Sequence, residues 1–141
     1  ARLMKLLSRF PGYVGVAALG DSRFTTLVDK IKPVLEVIKA RGLMYVDSGL
    51  NNASVVPRIA DEIGVPRAIG NLVIDDVPSR RAIDGRLAEL ERIARDRTMA
   101  IAIVRAYPAT IERLNLWFDS LRAKRLVLAP VSAFAEKQNP Q

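Results

Sequence analysis

The stretch Gly12–Thr26, "GYVGVAALGDSRFTT", begins as an apolar run and ends in small, charged and hydroxyl side chains. This pattern is typical of a buried strand that delivers a polar loop to the edge of a sheet, where ligands of α/β proteins usually bind. Runs of the same kind recur along the chain, with 27 to 30 residues between their starts: Tyr13–Ala18, Leu43–Val46, Asn71–Ile74, Met99–Val104 and Leu126–Val131.

The segments between these runs have helical periodicity. Their apolar residues recur three or four positions apart, which places them on one face of a helix. The four stripes are Ile31, Val34, Leu35 and Ile38; Val56, Ile59, Ala60 and Ile63; Ile83, Leu87, Leu90 and Ala94; and Ile111, Leu114, Phe118 and Leu121. Gly42 and Gly64 stand where the first two helices should end. Ser79 can cap the start of the third helix, and Pro108 suits the first turn of the fourth.

The apolar runs are continuous rather than alternating, which indicates strands buried on both faces and hence a parallel sheet covered by helices. We therefore predict an α/β fold built from right-handed strand–helix–strand units. The periodicity leaves open whether the strands form an open sheet or part of a barrel. The 141 residues suit one domain, and we expect it to cover residues 1–135, with residues 136–141 as a frayed tail.

The composition excludes several kinds of chemistry. Because the chain has no cysteine, it has no disulfide, thiolate nucleophile or zinc–cysteine site. Because it has no histidine, it lacks the commonest general base and the commonest metal ligand. Any reaction must therefore use Asp, Glu, Lys, Arg, Ser, Thr or Tyr side chains.

The chain is basic, with a net charge of +7 from 22 basic and 15 acidic residues. A positive surface attracts polyanions. The basic residues are dispersed, however, and few aromatic side chains are interleaved with them for stacking on bases, so we predict no nucleic-acid partner. No apolar stretch approaches the roughly 20 residues needed to cross a bilayer, so we also predict no membrane span.

The candidate site residues follow the predicted strands, and they are Arg23, Asp47, Ser48, Asp75, Arg105 and Tyr107. Because the carboxyl ends of parallel strands meet at one edge, we expect these side chains to line a ligand-binding rim there. Asp47 and Asp75 could share a proton or hold a divalent cation, but an aspartate in such a position also caps a helix or closes a turn. Arg23 and Arg105 could bind a carboxylate, a phosphate or a sugar hydroxyl, or they could neutralise these aspartates.

Longer segments of the sequence carry a resemblance to a known family. They are "RFPGYVGV" (9–16), "SRFTT" (22–26), "PVLEVIKARGLMYVDS" (33–48), "IGVPRAIGNLVIDD" (63–76), "RAIDGRLAELERIAR" (81–95) and "AIAIVRAYPATIERLNLWFDSLRAKRLVLAPVSAF" (100–134). In order and spacing they resemble the divergent polysaccharide deacetylases over nearly the whole chain. The resemblance implies part of a deformed (β/α) barrel related to carbohydrate esterases that remove N-acetyl groups with a divalent metal. It also implies that an earlier part of the family domain, with an Asp-Asp pair that supplies a catalytic base and a metal ligand, is missing here.

The sequence departs from the family pattern at the functional histidines. Active-looking relatives carry an Asn-His pair after the "GYVGV" strand, and this chain has Ala18 and Leu19 there. Relatives carry Gly-His before the "YP" motif, and this chain has Val104 and Arg105. A leucine cannot ligate a metal, and an arginine keeps its proton near neutral pH.

From these departures we predict an inactive polysaccharide deacetylase-like domain, with no catalytic residue, metal or other cofactor of its own. It would keep a polar cleft for a cell-wall glycan or a peptidoglycan fragment, and the resemblance implies a periplasmic or cell-envelope location. Two alternatives stay open. One is a residual metal-dependent N-deacetylase, in which Asp47 and Asp75 rebuild a weak cation site. The other is a structural module that forms a homo-oligomer through an open sheet edge.

Overall fold

The computed structural model describes residues 2–9, 11–18 and 23–138. Their elements, in chain order, are α1 (Arg2–Leu7), β1 (Gly15–Ala18), a 3₁₀ helix (Arg23–Thr26), α2 (Val28–Ala40), β2 (Met44–Asp47), α3 (Val56–Ile63), β3 (Arg67–Ile69), β4 (Leu72–Val73), α4 (Arg80–Arg97), β5 (Ala102–Ile103), α5 (Pro108–Leu121) and α6 (Ser132–Gln138). All the strand pairs are parallel, which confirms the predicted α/β class. The chain divides into two compact units, Ala1–Ile69 with Val131–Gln141 and Gly70–Pro130. A single domain over residues 1–135 stays a prediction.

The first unit contains a three-stranded parallel sheet in the order β1-β2-β3. Its apolar core is formed by side chains of α2 and α3 packed together with residues that flank and form β2. Ile31, Leu35 and Ile38 of α2 are fully buried, as their shared helix face predicts. The sheet register pairs Ala18 at the end of β1 with Asp47 at the end of β2, so both residues lie at the same edge of the sheet.

The end of α2 shows why the sequence folds as predicted there. Gly42 has a φ of +66°, a left-handed conformation that glycine adopts without a steric penalty. The N–H of Gly42 donates to the carbonyl of Lys39 at 2.9 Å, and the N–H of Leu43 donates to that of Ile38 at 3.1 Å. This is a Schellman motif, in which the hydrophobic residue after the glycine is also buried. The motif turns the chain directly into β2.

The second unit pairs β4 with β5 and packs α4 and α5 around a smaller core. Ser79 caps α4 as predicted, because its hydroxyl oxygen accepts the N–H of Ala82 at 3.3 Å. Pro108 occupies the first turn of α5, also as predicted. Ile74, the residue after β4, is fully buried in this core. The strand–helix–strand arrangement therefore continues in this unit.

The structure corrects three predictions about secondary structure and burial. Leu126–Val131 is not among the strands of the described residues, and Val127 and Leu128 are 88% and 62% exposed. Ile111 and Phe118 were expected in the stripe that α5 buries, but they are 47% and 40% exposed, whereas Thr110 is fully buried. The strand β3 was not predicted, because three residues that include an arginine give no apolar run.

Part of the predicted tail is helical, and a tail over residues 136–141 stays a prediction. Its first three residues, 136–138, belong to α6, which begins at Ser132. Residues 139–141 lie outside the described part of the chain. The polar composition of the segment gave no sign of this helix.

Candidate functional site

Asp47 ends β2 at the edge of the sheet in the first unit, with only 5% of its surface exposed. Its Oδ1 accepts the N–H of Gly49 at 2.9 Å, and its Oδ2 accepts the hydroxyl of Ser54 at 2.8 Å. The first bond closes an Asx turn, one of the two structural roles that the sequence suggested. The neighbouring Ser48 is equally buried, and its Oγ accepts the N–H of Leu50 at 3.5 Å. Both residues therefore shape the turn that follows β2.

The surroundings of Asp47 include a buried phenol. Tyr45 lies two residues earlier in β2 and is 2% exposed. Burial, together with the nearby negative charge of Asp47, raises the pKa of Tyr45 to about 12. The phenol therefore keeps its proton at every physiological pH, and it cannot act as a base.

The register partners of Asp47 on the two neighbouring strands, Ala18 and Ile69, are both apolar. Ala18, its register partner on β1, presents a methyl group. Leu19, which the resemblance predicts at the position of a family histidine, lies outside the described residues. Arg23 begins the 3₁₀ helix, where it is exposed, and its carbonyl accepts the hydroxyl of Thr26 at 2.8 Å. Among the described residues its guanidinium forms no ion pair with Asp47, so that alternative is not realised here.

Asp75 follows β4 in the second unit and is completely buried. Its two oxygens accept the backbone N–H of Arg105 at 3.0 and 2.8 Å, and Oδ2 also accepts the hydroxyl of Thr110 at 3.0 Å. These bonds tie the end of β4 to the loop between β5 and α5. Among the described residues, Asp75 therefore forms neither the helix cap, nor the Asx turn, nor the ion pair with Arg105 that the sequence suggested as its structural roles. We call these three hydrogen bonds the Asp75 brace, because they hold the loop to the end of β4.

The loop above this brace presents two side chains to solvent. The Arg105 side chain is exposed and has no ion-pair partner within the described residues. Tyr107 is 41% exposed and immediately precedes α5. Ala106 between them has a φ of +58°, so the loop holds a non-glycine residue in the left-handed region. The brace by Asp75 explains how the loop keeps this conformation.

The carboxylates that the structure describes at the strand ends do not form a cluster. In the part of the chain that the structure describes, no three acidic side chains come together as a group that could hold a metal. Asp47 in the first unit and Asp75 in the second each have both carboxylate oxygens hydrogen-bonded to the protein. Asp47 and Asp75 belong to different units, and the convergence of their carboxylates on one rim stays a prediction.

Sequence reasoning missed the hydroxyl partners of the two aspartates. Ser54 lies seven residues after Asp47, and Thr110 lies 35 residues after Asp75. Thr110 could have been noticed in the sequence, because it is a polar residue between two apolar ones in the first turn of α5. It also missed Glu91, which is 8% exposed on α4 and accepts the indole N–H of Trp117 at 2.8 Å. Trp117 itself lies against the core of the second unit.

None of the helices within residues 2–9, 11–18 and 23–138 has the length and hydropathy that crossing a bilayer requires.

A comparison with curated proteins finds no match. Among solved structures, an uncharacterised protein from Agrobacterium tumefaciens C58 is similar to this chain, with a TM-score of 0.84 and 29% sequence identity. The match covers 86% of this chain and 50% of the other, so this chain spans about half the length of that relative.

The structural match confirms the α/β fold, and it is consistent with part of a deformed barrel. The sequence carries independent evidence of ancestry, since residues 1–135 match the family model described as divergent polysaccharide deacetylase. That match extends from before β1 to the middle of α6, which includes every candidate site residue. The chain therefore belongs to the divergent polysaccharide deacetylase family.

Proposed function

We propose that this chain is a glycan-binding domain of its family without deacetylase activity of its own. The observation that carries the proposal is the state of the two strand-end aspartates. Each is buried, and each accepts a backbone N–H and a hydroxyl within its own unit. Metal-assisted amide hydrolysis needs a cation that polarises the carbonyl and activates water. Leu19 and Arg105, at the family's histidine positions, offer neither a ligand nor a transferable proton.

The exposed groups at the strand ends support binding of a polar ligand. Arg105 and Tyr107 of the second unit, and Arg23 of the first, present guanidinium and phenol groups that donate hydrogen bonds. Sugar hydroxyls and the carbonyl of an N-acetyl group accept such bonds. We therefore propose a cell-wall glycan or a peptidoglycan fragment as the ligand, and a periplasmic or cell-envelope location as its consequence.

The test is a titration of the protein with chitotriose, in which NMR monitors the chemical shifts of the backbone amides. We expect shifts for Arg105 and Tyr107, and we expect Arg105→Ala to weaken binding at least fivefold. Arg97→Ala is the matched control, because Arg97 is an exposed arginine at the end of α4, outside the candidate rim. Unchanged shifts at these amides with both chitotriose and a muropeptide would contradict the proposal.

The loss of catalysis is tested separately. We expect no heat of binding with Zn²⁺, Mn²⁺ or Ca²⁺, and no acetate release from chito-oligosaccharides when these ions are present. Acetate release that depends on one of these ions and disappears in Asp47→Asn would establish the residual metal-dependent deacetylase instead.

A second candidate function, assembly into a homo-oligomer, is favoured by the segment Leu126–Val131. Its sequence is that of a buried strand, yet Val127 and Leu128 are 88% and 62% exposed. Exposed apolar segments of this kind mark interaction surfaces. Sedimentation velocity across a range of concentrations tests this function. A dimer that dissociates in Val127→Ser/Leu128→Ser would establish it, and a monomer at every concentration would rule it out.

A further inference from the structure

A groove between α4 and α5 lies within the second unit. It has a volume of about 260 Å³, and none of the candidate rim residues lines it. The lining side chains that matter are Asp84, Ala88, Glu91, Arg113, Trp117 and Lys124. The volume is just below the roughly 300 Å³ at which sites for drug-sized ligands begin, so the groove suits a small occupant with a single ring.

The charges along the groove cancel in pairs. Arg113 donates to both oxygens of Asp84, from Nε at 2.6 Å and from Nη2 at 2.8 Å. Lys124 donates to Oε1 of Glu91 at 2.5 Å. Because two cations face two anions, a charged ligand gains no net attraction and must compete with an existing pair. A neutral ligand avoids this cost.

Several polar groups in the groove have unused hydrogen-bonding capacity. Among the described residues, Arg113 donates only from Nε and Nη2, so Nη1 is available, and the Lys124 ammonium uses one of its three donors. Oε2 of Glu91 forms an ion pair with the Arg95 guanidinium at 3.7 Å, and within the described part of the chain it accepts no hydrogen bond. These groups offer donors and an acceptor beside the indole of Trp117. The ligand they match is neutral, carries groups that both donate and accept, and has an apolar face for the indole.

We propose that the α4–α5 groove binds one neutral pyranose ring of a glycan, packed against Trp117 and hydrogen-bonded by Arg113, Glu91 and Lys124. The choice of a sugar rests on the proposed function, because a glycan is the ligand proposed there. The surface is a different one, so the groove forms a subsite of its own.

Trp117 is the only tryptophan in the chain, so its fluorescence reports on the groove alone. We expect N-acetylglucosamine to shift this emission with a saturable dependence on concentration. N-acetylmuramic acid, an anion, and glucosamine, a cation, should bind at least fivefold more weakly because of the paired charges. Equal binding of all three sugars would overturn the assignment of a neutral ligand, and an emission that no sugar changes would overturn the site.

Ala88→Met gives a variant that obstructs the groove with little risk to folding. Ala88 is exposed on α4, and methionine is a good helix former. We expect at least a tenfold loss of sugar binding, whereas Ala123→Met, at an exposed alanine that does not line the groove, should bind as the wild type does. Circular dichroism verifies that both variants are folded. Wild-type affinity in Ala88→Met would overturn the proposal.

The two sites fail in distinguishable ways. If Arg105→Ala abolishes the shifts at Arg105 and Tyr107 but leaves the Trp117 response intact, the groove is supported as an independent subsite. If chitotriose shifts the rim amides while Trp117 emission stays constant, the proposed function stands and the groove assignment is overturned. If Trp117 emission responds while the rim amides do not shift, the groove assignment stands and the proposed glycan binding at the rim is overturned.

Discussion

Gly15 on β1 lies so close to β2 that its missing side chain is a structural requirement. A Cβ at this position would be 2.5 Å from Cγ of Met44 and 2.6 Å from the Met44 carbonyl oxygen. The side chain can move, but the backbone oxygen is fixed because Met44 is the register partner of Gly15. We therefore expect Gly15→Ala to lower the free energy of unfolding by about 1–3 kcal/mol, measured by urea denaturation.

Gly85 provides the matched control for this substitution. It lies inside α4, and a Cβ there would meet no atom within 4 Å. Gly85→Ala should therefore raise the free energy of unfolding by about 0.5–1 kcal/mol, because alanine loses less backbone entropy in a helix. If both substitutions had the same sign, the close approach of β1 to β2 would not be the cause.

Asp75 allows a second prediction at the scale of one residue. In Asp75→Asn, an amide nitrogen replaces one of two oxygens that both accept the Arg105 N–H, so two donors face each other in either orientation of the amide. We expect a loss of about 1–3 kcal/mol in the free energy of unfolding and faster amide exchange at Arg105, because a buried N–H is left facing another donor instead of an acceptor. Thr110→Val removes a single bond from the brace and should cost less. An Asp75→Asn protein as stable as the wild type would contradict this role.

At the scale of elements, α2, α3 and α4 were predictable because their signals are local. Apolar spacing, a terminal glycine and a capping serine all lie within the element that they define. A strand, by contrast, needs a partner, and the apolar run Leu126–Val131 contains no information about whether one is present. The same limit applies to the candidate site. The turn at Asp47 was among the predictions because its donor lies two residues away, whereas the partners of Asp75 lie 30 and 35 residues away.

The end of α4 is strained by its capping residue. Thr98 has a φ of +64°, a conformation that is costly for a β-branched side chain. Thr98→Gly should therefore raise the free energy of unfolding by about 1 kcal/mol, seen as a higher midpoint in thermal unfolding. Thr98→Ala is the comparison, and we expect a smaller gain because alanine keeps a Cβ. A loss of stability in Thr98→Gly would mean that the Thr98 hydroxyl, which donates to the Arg97 carbonyl at 2.6 Å, outweighs the strain.

The whole molecule should lose stability on acidification. Its net charge of +7 grows as carboxylates are protonated, which increases repulsion among 22 basic side chains. Specific groups add to this effect. A hydrogen bond from Arg67 lowers the pKa of Asp61, and a hydrogen bond from Arg86 lowers the pKa of Asp76. A group whose pKa is lower in the folded protein binds protons more readily when unfolded, so its stabilising effect is present at neutral pH and lost as the pH falls.

One part of the pH dependence of stability can be attributed to a single side chain, that of Glu91. Burial raises its pKa, but hydrogen bonds from Lys124 and Trp117 outweigh burial, and the pKa lies below its usual value of 4.5. The stabilisation is therefore complete above that value and declines as acid protonates the folded carboxylate. Denaturation of wild type and Glu91→Gln between pH 7 and pH 3 should show a smaller acid-induced loss in the variant. Glu36→Gln removes an equal charge from an exposed position on α2. If it flattened the pH profile as much as Glu91→Gln, net charge alone, rather than the Lys124 and Trp117 bonds, would set the acid sensitivity.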